Sequence, residues 1–280
     1  FLLDTQCVLP SDINQDGVVD DADLLEVLFQ FGQGCPPGGA EIRWLGILPN
    51  YQRSRANAVS HDGRVVVGYC ISTNSDPRAL IAFKWTETTG MMPLAGLEQT
   101  GYRYSSAKAV SADGSVIAGV LAQAPGSVAG YRWTENSLTL LPYGTYADYI
   151  SADGETIAGT TVDSRVFRWT RTGGYQILTS MTSWVSGLSL DGNTIIGSYQ
   201  YAPNGYSYRI YRWTTAEGFH VPNQFLNYEH QVSYCLSGDG QTIFGAVLSP
   251  LSMRGVSDGA ATKRCESTCQ NPCQQTIAGT

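Results

Sequence analysis

The chain has 280 residues, and this length allows it to bury a substantial hydrophobic core. Lys and Arg number 17 against 24 Asp and Glu, so the formal net charge is −7, and no basic run offers the phosphate contacts of a nucleic-acid-binding protein. No apolar run approaches the roughly 20 residues of a membrane-spanning helix. The composition therefore argues against nucleic acid binding and against a membrane-spanning helix, and we expect a soluble globular protein.

The first predicted element is a calcium-binding loop over residues 12–23, which read D-I-N-Q-D-G-V-V-D-D-A-D. Oxygen donors recur at the spacing that lets one short loop surround a Ca²⁺ ion, and Gly17 lies at the sharp turn. The predicted ligands are Asp12, Asn14, Asp16, the Val18 carbonyl, Asp20 and Asp23. The alternative is an Asp- and Asn-rich surface turn that caps the helix after it.

An apolar-rich helix follows the loop and ends at Gly32. Because the last ligand position holds Asp23 and not the Glu of an EF-hand, the segment over residues 12–32 resembles a dockerin, the calcium-dependent docking module of extracellular bacterial assemblies. A dockerin carries two such segments, whereas this chain shows one. The resemblance implies a protein partner for residues 1–39, either a cohesin-like protein or another copy of this chain.

The cysteines favour an exported protein. Cys7 and Cys35 bracket the calcium segment, and we expect a disulfide between them because so short a segment buries too little apolar surface to hold itself together. The tail over residues 261–280 contains Cys265, Cys269 and Cys273, which suggest oxidised thiols or, alternatively, a zinc or iron–sulfur site. The chain begins without Met, as a processed form or one that retains the end of a signal sequence would. We therefore expect a secreted, extracellular or cell-surface bacterial protein.

From residue 55 onward, one pattern recurs five times: a small-apolar strand, a Ser-x-Asp-Gly turn, and a β-branched strand that ends in Gly. The turns begin at Ser60, Ser111, Ser151, Ser189 and Ser237. Asp-Gly between two β-rich runs predicts a hairpin with a type I′ turn. Repeats at the intervals between these serines indicate an array of β units.

A second hairpin follows in four of the units. Its F/Y-K/R-W-T motifs occupy residues 83–86, 131–134, 167–170 and 211–214. On a strand, the aromatic pair of each motif shares one face, so Trp85, Trp133, Trp169 and Trp213 are expected at equivalent, largely buried positions. A closing strand, such as G-Y-Q-I-L at 174–178, brings each unit to four strands, as in a propeller blade.

These motifs resemble the HAF family of extracellular repeats over roughly residues 41–248, and the resemblance implies an exported β-repeat protein. We predict an all-β fold: a five-bladed β-propeller of four-stranded antiparallel blades over residues 40–260, after the loop-helix segment. The fifth unit lacks the aromatic motif, and we expect residues 42–48 to complete its blade and close the ring. An open β-solenoid and a ring completed by a second chain are the alternatives.

The sequence offers no catalytic constellation. The Ser-x-Asp-Gly motif recurs too often for a catalytic role, and His61, His220 and His230 share no metal-ligand spacing. We therefore expect a non-enzymatic structural or adhesive protein, with clustered tyrosines filling gaps between blades or contacting glycans, and with association of copies head to tail into a filament. The alternative is a carbohydrate-active propeller protein anchored through its dockerin-like segment.

Overall fold

A computed structural model of the protein describes residues 43–72, 80–124, 127–201, 207–222 and 230–248. The chain divides into two compact units, Phe1–Leu45 and Gly46–Thr280, and every described strand belongs to the second. The predicted calcium loop with its helix, the predicted Cys7–Cys35 disulfide and the C-terminal tail all lie outside the described residues. No helix in the described part of the chain is long and apolar enough to cross a membrane.

The described strands form five antiparallel sheets in chain order. The first sheet comprises β1 (Arg53–Val59), β2 (Val65–Ile71), β3 (Leu80–Thr86) and β4 (Gly90–Pro93). After a short 3₁₀ helix (Leu97–Thr100), the second comprises β5 (Tyr104–Val110), β6 (Ile117–Ala124), β7 (Ser127–Thr134) and β8 (Ser137–Tyr143). The third comprises β9 (Thr145–Ile150), β10 (Thr156–Thr161), β11 (Val166–Thr170) and β12 (Gly174–Ile177).

The fourth sheet comprises β13 (Ser183–Leu188), β14 (Thr194–Gln200), β15 (Tyr208–Thr214) and β16 (Gly218–His220), and the fifth comprises β17 (His230–Leu236) and β18 (Ile243–Leu248). In each four-stranded sheet the strands neighbour one another in sequence order. The first strand of each sheet after the first packs against the preceding sheet. Sequential four-stranded meanders packed in this way are the arrangement of β-propeller blades, so the predicted all-β fold is confirmed. The fifth sheet has two described strands.

The aromatic motifs build the core as predicted. Phe83, Tyr131, Phe167 and Tyr211, the first residues of the four motifs, are fully buried. Each lies opposite the Gly that ends the β-branched run of the neighbouring strand. The tryptophans differ from one another, because Trp85 and Trp133 are buried whereas Trp169 and Trp213 are half-buried. The prediction of largely buried tryptophans is therefore confirmed for the first two sheets only.

The Ser-x-Asp-Gly turns share one hydrogen-bond pattern in all five sheets. In the second sheet, Ser111 Oγ donates to Asp113 Oδ1 at 2.6 Å and accepts from the Val116 amide at 2.9 Å. The Gly114 amide donates to the Ser111 carbonyl at 3.0 Å, and Gly114 has a positive φ of 73°. Asp113 does not have a positive φ, so the predicted type I′ turn is wrong. The hairpin itself is confirmed. Its loop is longer than a two-residue type I′ turn, and the Ser side chain closes it.

Each turn also packs on the turn before it. A Cβ built on Gly114 would lie 2.4 Å from Val65 Cγ2, and one built on Gly154 would lie 2.6 Å from Val116 Cγ2. The same relation joins Gly192 to Thr156, where the distance to Oγ1 is 2.6 Å. The turn glycine is therefore required twice, once by its backbone conformation and once by the neighbouring sheet.

The predicted closure of the ring by residues 42–48 is wrong. Residues 43–48 form no strand, and the Gly46 carbonyl accepts a hydrogen bond from Ser54 Oγ of β1, in the first sheet, at 2.9 Å. Leu48 is buried. The segment is therefore held at the first sheet, and burial of the Leu48 side chain favours this placement.

Candidate functional site

The first strand of each of the five sheets contains a one-residue β-bulge, at the same position relative to the turn. The unpaired residues are Asn57, Lys108, Asp148, Ser186 and Tyr234. We call these five residues the bulge row. All of them are polar, although their flanking residues in the first two sheets are alanines.

The bulges are built into the fold by the repeated glycine of the second strand. A Cβ on Gly159 would lie 1.8 Å from the Tyr146 carbonyl oxygen, and one on Gly68 would lie 1.9 Å from that of Arg55. Only glycine allows the bulged strand to approach so closely. Because the backbone and the glycine meet the structural requirement of the bulge, the side chains of the bulge row can vary from sheet to sheet.

Two members of the bulge row carry opposite charges. Lys108 and Asp148 occupy equivalent positions on β5 and β9, which pack against each other, and both side chains are half-buried. Desolvation raises the pKa of Asp148 to about 6, and the positive charge of Lys108 and the amide of Thr160 only partly oppose it.

The two bulge-row residues on either side of Lys108 and Asp148 hydrogen-bond neighbouring strands. Asn57 Nδ2 donates to the Ala107 carbonyl at 2.6 Å. Ser186 Oγ accepts from Ser233 Oγ at 3.1 Å. These bonds fix the side chains on either side of Lys108 and Asp148, as a preorganised site requires.

A second feature is a row of backbone hydrogen bonds that joins the turns of successive sheets, which we call the turn ladder. The residue after the turn serine donates its amide to the carbonyl of the corresponding residue in the next sheet. The donors and acceptors are His61 to Ala112 at 3.0 Å, Ala112 to Ala152 at 2.9 Å, Ala152 to Leu190 at 2.8 Å and Leu190 to Gly238 at 2.8 Å. His61, expected to fill the variable position of its turn, does so.

The turn ladder is open at both ends within the described residues. There the His61 carbonyl accepts no such bond, and the Gly238 amide donates none. Thr242 is exposed, whereas its equivalents in the first four sheets, Val65, Val116, Thr156 and Thr194, are buried beneath the next turn. Gly63 is half-buried, and its equivalents in the other sheets are buried. The first and last turns therefore present the two complementary halves of the interface that joins neighbouring sheets.

The predicted calcium ligands lie outside the described residues, and the prediction stays a prediction. In the part of the chain that is described, no group of three His, Cys, Asp or Glu side chains could hold a metal ion. Among the clustered tyrosines, Tyr199 is buried, and Tyr143 and Tyr201 are exposed. The ring face of Tyr201 is covered by the Arg209 guanidinium, whose central carbon lies 4.0 Å from the ring centre.

The sequence contained a signal for the bulge row that the motif analysis missed. Each member stands three residues before the turn serine, in all five repeats. The repeated motifs consist of positions that hold the same kind of residue in each repeat, whereas the residue at the bulge-row position differs from one repeat to the next.

No protein-family description matches the chain, and no curated protein is similar to it. Solved structures do match. The putative TolB from Agrobacterium tumefaciens is 16% identical over 75% of this chain and 74% of its own, with a TM-score of 0.47. The β-propeller domain of the Trilobed protease from Pyrococcus furiosus, which has an open velcro topology, is 7% identical over 71% and 66%, with a TM-score of 0.48.

The expectation that the protein is not an enzyme is contradicted by the same comparison. A putative dipeptidyl aminopeptidase IV from Bacteroides ovatus matches 68% of this chain at 10% identity, with a TM-score of 0.47, and this chain covers 36% of it. An acylaminoacyl peptidase from Pyrococcus horikoshii matches 71% at 9% identity, with a TM-score of 0.44 and the same share of its length. Peptidases are thus among the proteins with similar structures.

Proposed function

We propose that the protein is an extracellular structural or adhesive module whose copies associate head to tail through the open ends of the turn ladder. The observation that carries this proposal is the uncovered pair of turns at the first and last sheets. The calcium segment and the propeller-like body, with its resemblance to HAF repeats, support placement outside the cell, where calcium is abundant.

The contact between copies would repeat the contact between sheets. The Gly238 amide of one copy would donate to the His61 carbonyl of the next, and Gly63 of the second copy would cover Thr242 of the first. This interface occurs four times within each chain, so its geometry is already compatible with the fold. A contact between unlike surfaces propagates into filaments when its rotation does not close a ring.

The dockerin-like segment would add a second, calcium-dependent contact. Calcium bound by Asp12, Asn14, Asp16, Val18, Asp20 and Asp23 would order the segment before it meets a partner, which lowers the entropy cost of binding. The partner is another copy or a cohesin-like protein. We expect Asp16→Ala to abolish calcium binding, measured by calorimetric titration, because it removes a carboxylate ligand.

Light scattering and electron microscopy of the full chain, in calcium and in chelator, test the assembly. Thr242→Arg places a charge on the uncovered last turn without disturbing the core, so it should leave the fold intact and abolish assembly. Val162→Arg is the matched control, because Val162 is also exposed, 48% accessible, and also adjoins the end of a strand, but it follows β10 of the third sheet. A monodisperse wild-type monomer at high protein and calcium concentration, or assembly of Thr242→Arg like that of wild type, would overturn the proposal.

A further inference from the structure

A recess lies between the first and second sheets. Its volume is about 320 Å³, within the range of roughly 300–1,000 Å³ that is typical of small-molecule sites. Its lining includes the apolar residues Met92, Pro93 and Trp133 and the polar residues Lys84, Thr86 and Glu135. A small molecule that enters the recess would therefore meet apolar and polar groups together.

An ion pair joins the two sheets at this recess. Lys84 Nζ, on β3, donates to Glu135 Oε1, in the turn between β7 and β8, at 3.0 Å. The equivalent residues of the second and third sheets, Arg132 and Arg168, instead donate to the carbonyl of the turn glycine in the following sheet. The repeat by itself therefore does not require the pairing of Lys84 with Glu135.

The ion pair keeps hydrogen-bonding capacity for a ligand. An ammonium has three N–H groups and a carboxylate has two oxygens, and the bond between Lys84 and Glu135 uses one of each. Within the described part of the chain, neither side chain forms another hydrogen bond or ion pair. The Glu135 side chain is also 72% exposed, so a ligand can reach it. Because the two charges compensate each other, the recess offers donors and acceptors without a net charge.

The apolar part of the lining is accessible and held in place. Met92, on β4, is 53% exposed, and the adjoining Pro93 is exposed as well. Trp133 Nε1 donates to the Ala95 carbonyl at 2.9 Å, which fixes the orientation of the indole ring. A ligand that covers Met92 and Pro93 with an apolar face would remove their surface from water and thereby gain binding free energy.

We propose that this recess binds a neutral pyranose sugar. The C–H groups on one face of the ring would cover Met92 and Pro93, while its hydroxyl groups would accept from Lys84 Nζ and donate to Glu135. A charged ligand would compete for one member of the ion pair and leave the other without a partner. A purely apolar ligand would take water from the two charged groups without replacing its hydrogen bonds. The neutral sugar is the class that complements both parts of the lining.

This sugar site is separate from the head-to-tail contact, because none of the residues that line the recess belongs to the turn ladder. Saturation-transfer NMR and calorimetric titration of the full chain with the methyl glycosides of glucose, galactose, mannose and N-acetylglucosamine test the proposal. Cyclohexanol, an apolar ring with a single hydroxyl group, and glucuronate, a charged sugar, are the comparison probes. At least one glycoside should bind, and both comparison probes should bind roughly tenfold or more weakly than it does. The proposal is wrong if no glycoside binds, or if either comparison probe binds as tightly as the best glycoside.

Two variants locate the site. Lys84→Met and Glu135→Ala should each weaken glycoside binding by roughly tenfold or more, because each removes a charge-assisted hydrogen bond. Arg171→Met and Glu155→Ala are matched controls, since Arg171 and Glu155 form an ion pair at 3.3 Å in the third sheet and do not line the recess. Circular dichroism checks that each variant is folded. Binding that is unchanged in either site variant, or that falls equally in the controls, would overturn the proposal.

Discussion

Tyr131 and Tyr211 occupy equivalent buried positions, yet their hydroxyl groups differ. The Tyr211 hydroxyl donates to the Trp184 carbonyl at 3.2 Å, whereas the Tyr131 hydroxyl has no hydrogen-bond partner among the described residues. Burial raises the pKa of both phenols far above its usual range, so both are protonated at any pH of interest. Phe83 and Phe167 fill the same position in the other two sheets, which shows that the site accepts a ring without a hydroxyl.

We therefore expect Tyr131→Phe to be neutral or stabilising, because it removes an unsatisfied polar atom. Tyr211→Phe should lower the free energy of unfolding by about 1 kcal/mol, because it removes a hydrogen bond. Urea denaturation of the two variants measures the difference. Equal losses of stability in both variants would show that Tyr131 has a partner after all.

Among the described aspartates, Asp148 is the one whose ionised form is most disfavoured by folding. Its pKa in the folded protein is about 6, against 3.8 for an ordinary Asp, so the folded state disfavours its charge. Asp148→Asn should raise the free energy of unfolding at neutral pH by about 2–3 kcal/mol, as an upper estimate from that shift. The gain should vanish near about pH 3, where the wild-type carboxyl is mostly protonated in both the folded and the unfolded state. Denaturation curves at the two pH values check this, and an equal gain at both would assign it to packing.

At the scale of the element, the bulge is the feature with the strictest sequence requirement. Gly159→Ala brings a Cβ within 1.8 Å of a backbone oxygen, which cannot move without breaking the sheet. We expect a loss of about 3 kcal/mol or more in the free energy of unfolding. Gly174→Ala is the control, because Gly174 has a positive φ of 70° but no neighbour within 4 Å, and strain alone should cost roughly 1–2 kcal/mol. Comparable losses in thermal unfolding would mean that the bulge relaxes.

The strands and their order were predictable, whereas the bulges and turn closure were not. The recurring Ser-x-Asp-Gly and aromatic motifs carry the periodicity of hairpins, and the structure forms those hairpins. The glycine at the end of each β-branched run indicated a strand end. In the structure, its lack of a side chain leaves space for a carbonyl oxygen of the neighbouring strand. That contact depends on the pairing of two strands, which no single motif specifies. Likewise, the packing of residues 46–48 on the first sheet depends on tertiary burial, and local pattern favoured a distant strand edge.

At the scale of the molecule, two sets of carboxyls act on stability in opposite directions. Hydrogen bonds from the turn serines and the following amides hold the pKa values of Asp62, Asp113 and Asp239 below their usual range. Their stabilisation is present above the unfolded value of 3.8 and is lost as the pH falls below it. Asp148 acts in reverse, since its raised pKa makes stability fall as the pH rises from that value through about 6.

The free energy of unfolding should therefore pass through a maximum near about pH 4. Urea denaturation across roughly pH 3 to 8, a range that spans most of these titrations, measures it. Asp148→Asn should remove the decline between about pH 4 and 6 and leave the acid limb unchanged. A wild-type profile that is flat between about pH 4 and 6 would contradict the raised pKa of Asp148.

The turn ladder also determines how the molecule opens. Each sheet shares its turn contacts only with its neighbours, so local opening should behave as a one-dimensional chain in which an end unit loosens more readily than a middle one. Amide hydrogen exchange should be slowest in the third sheet and faster toward the first and fifth. The amide of Gly130, which donates to Thr145 Oγ1 at 2.9 Å, should exchange more slowly than that of Ile210, which donates to Gln231 Oε1 at 3.4 Å. Uniform protection across all five sheets would indicate a single cooperative unit, and association of copies would slow exchange at the terminal sheets most.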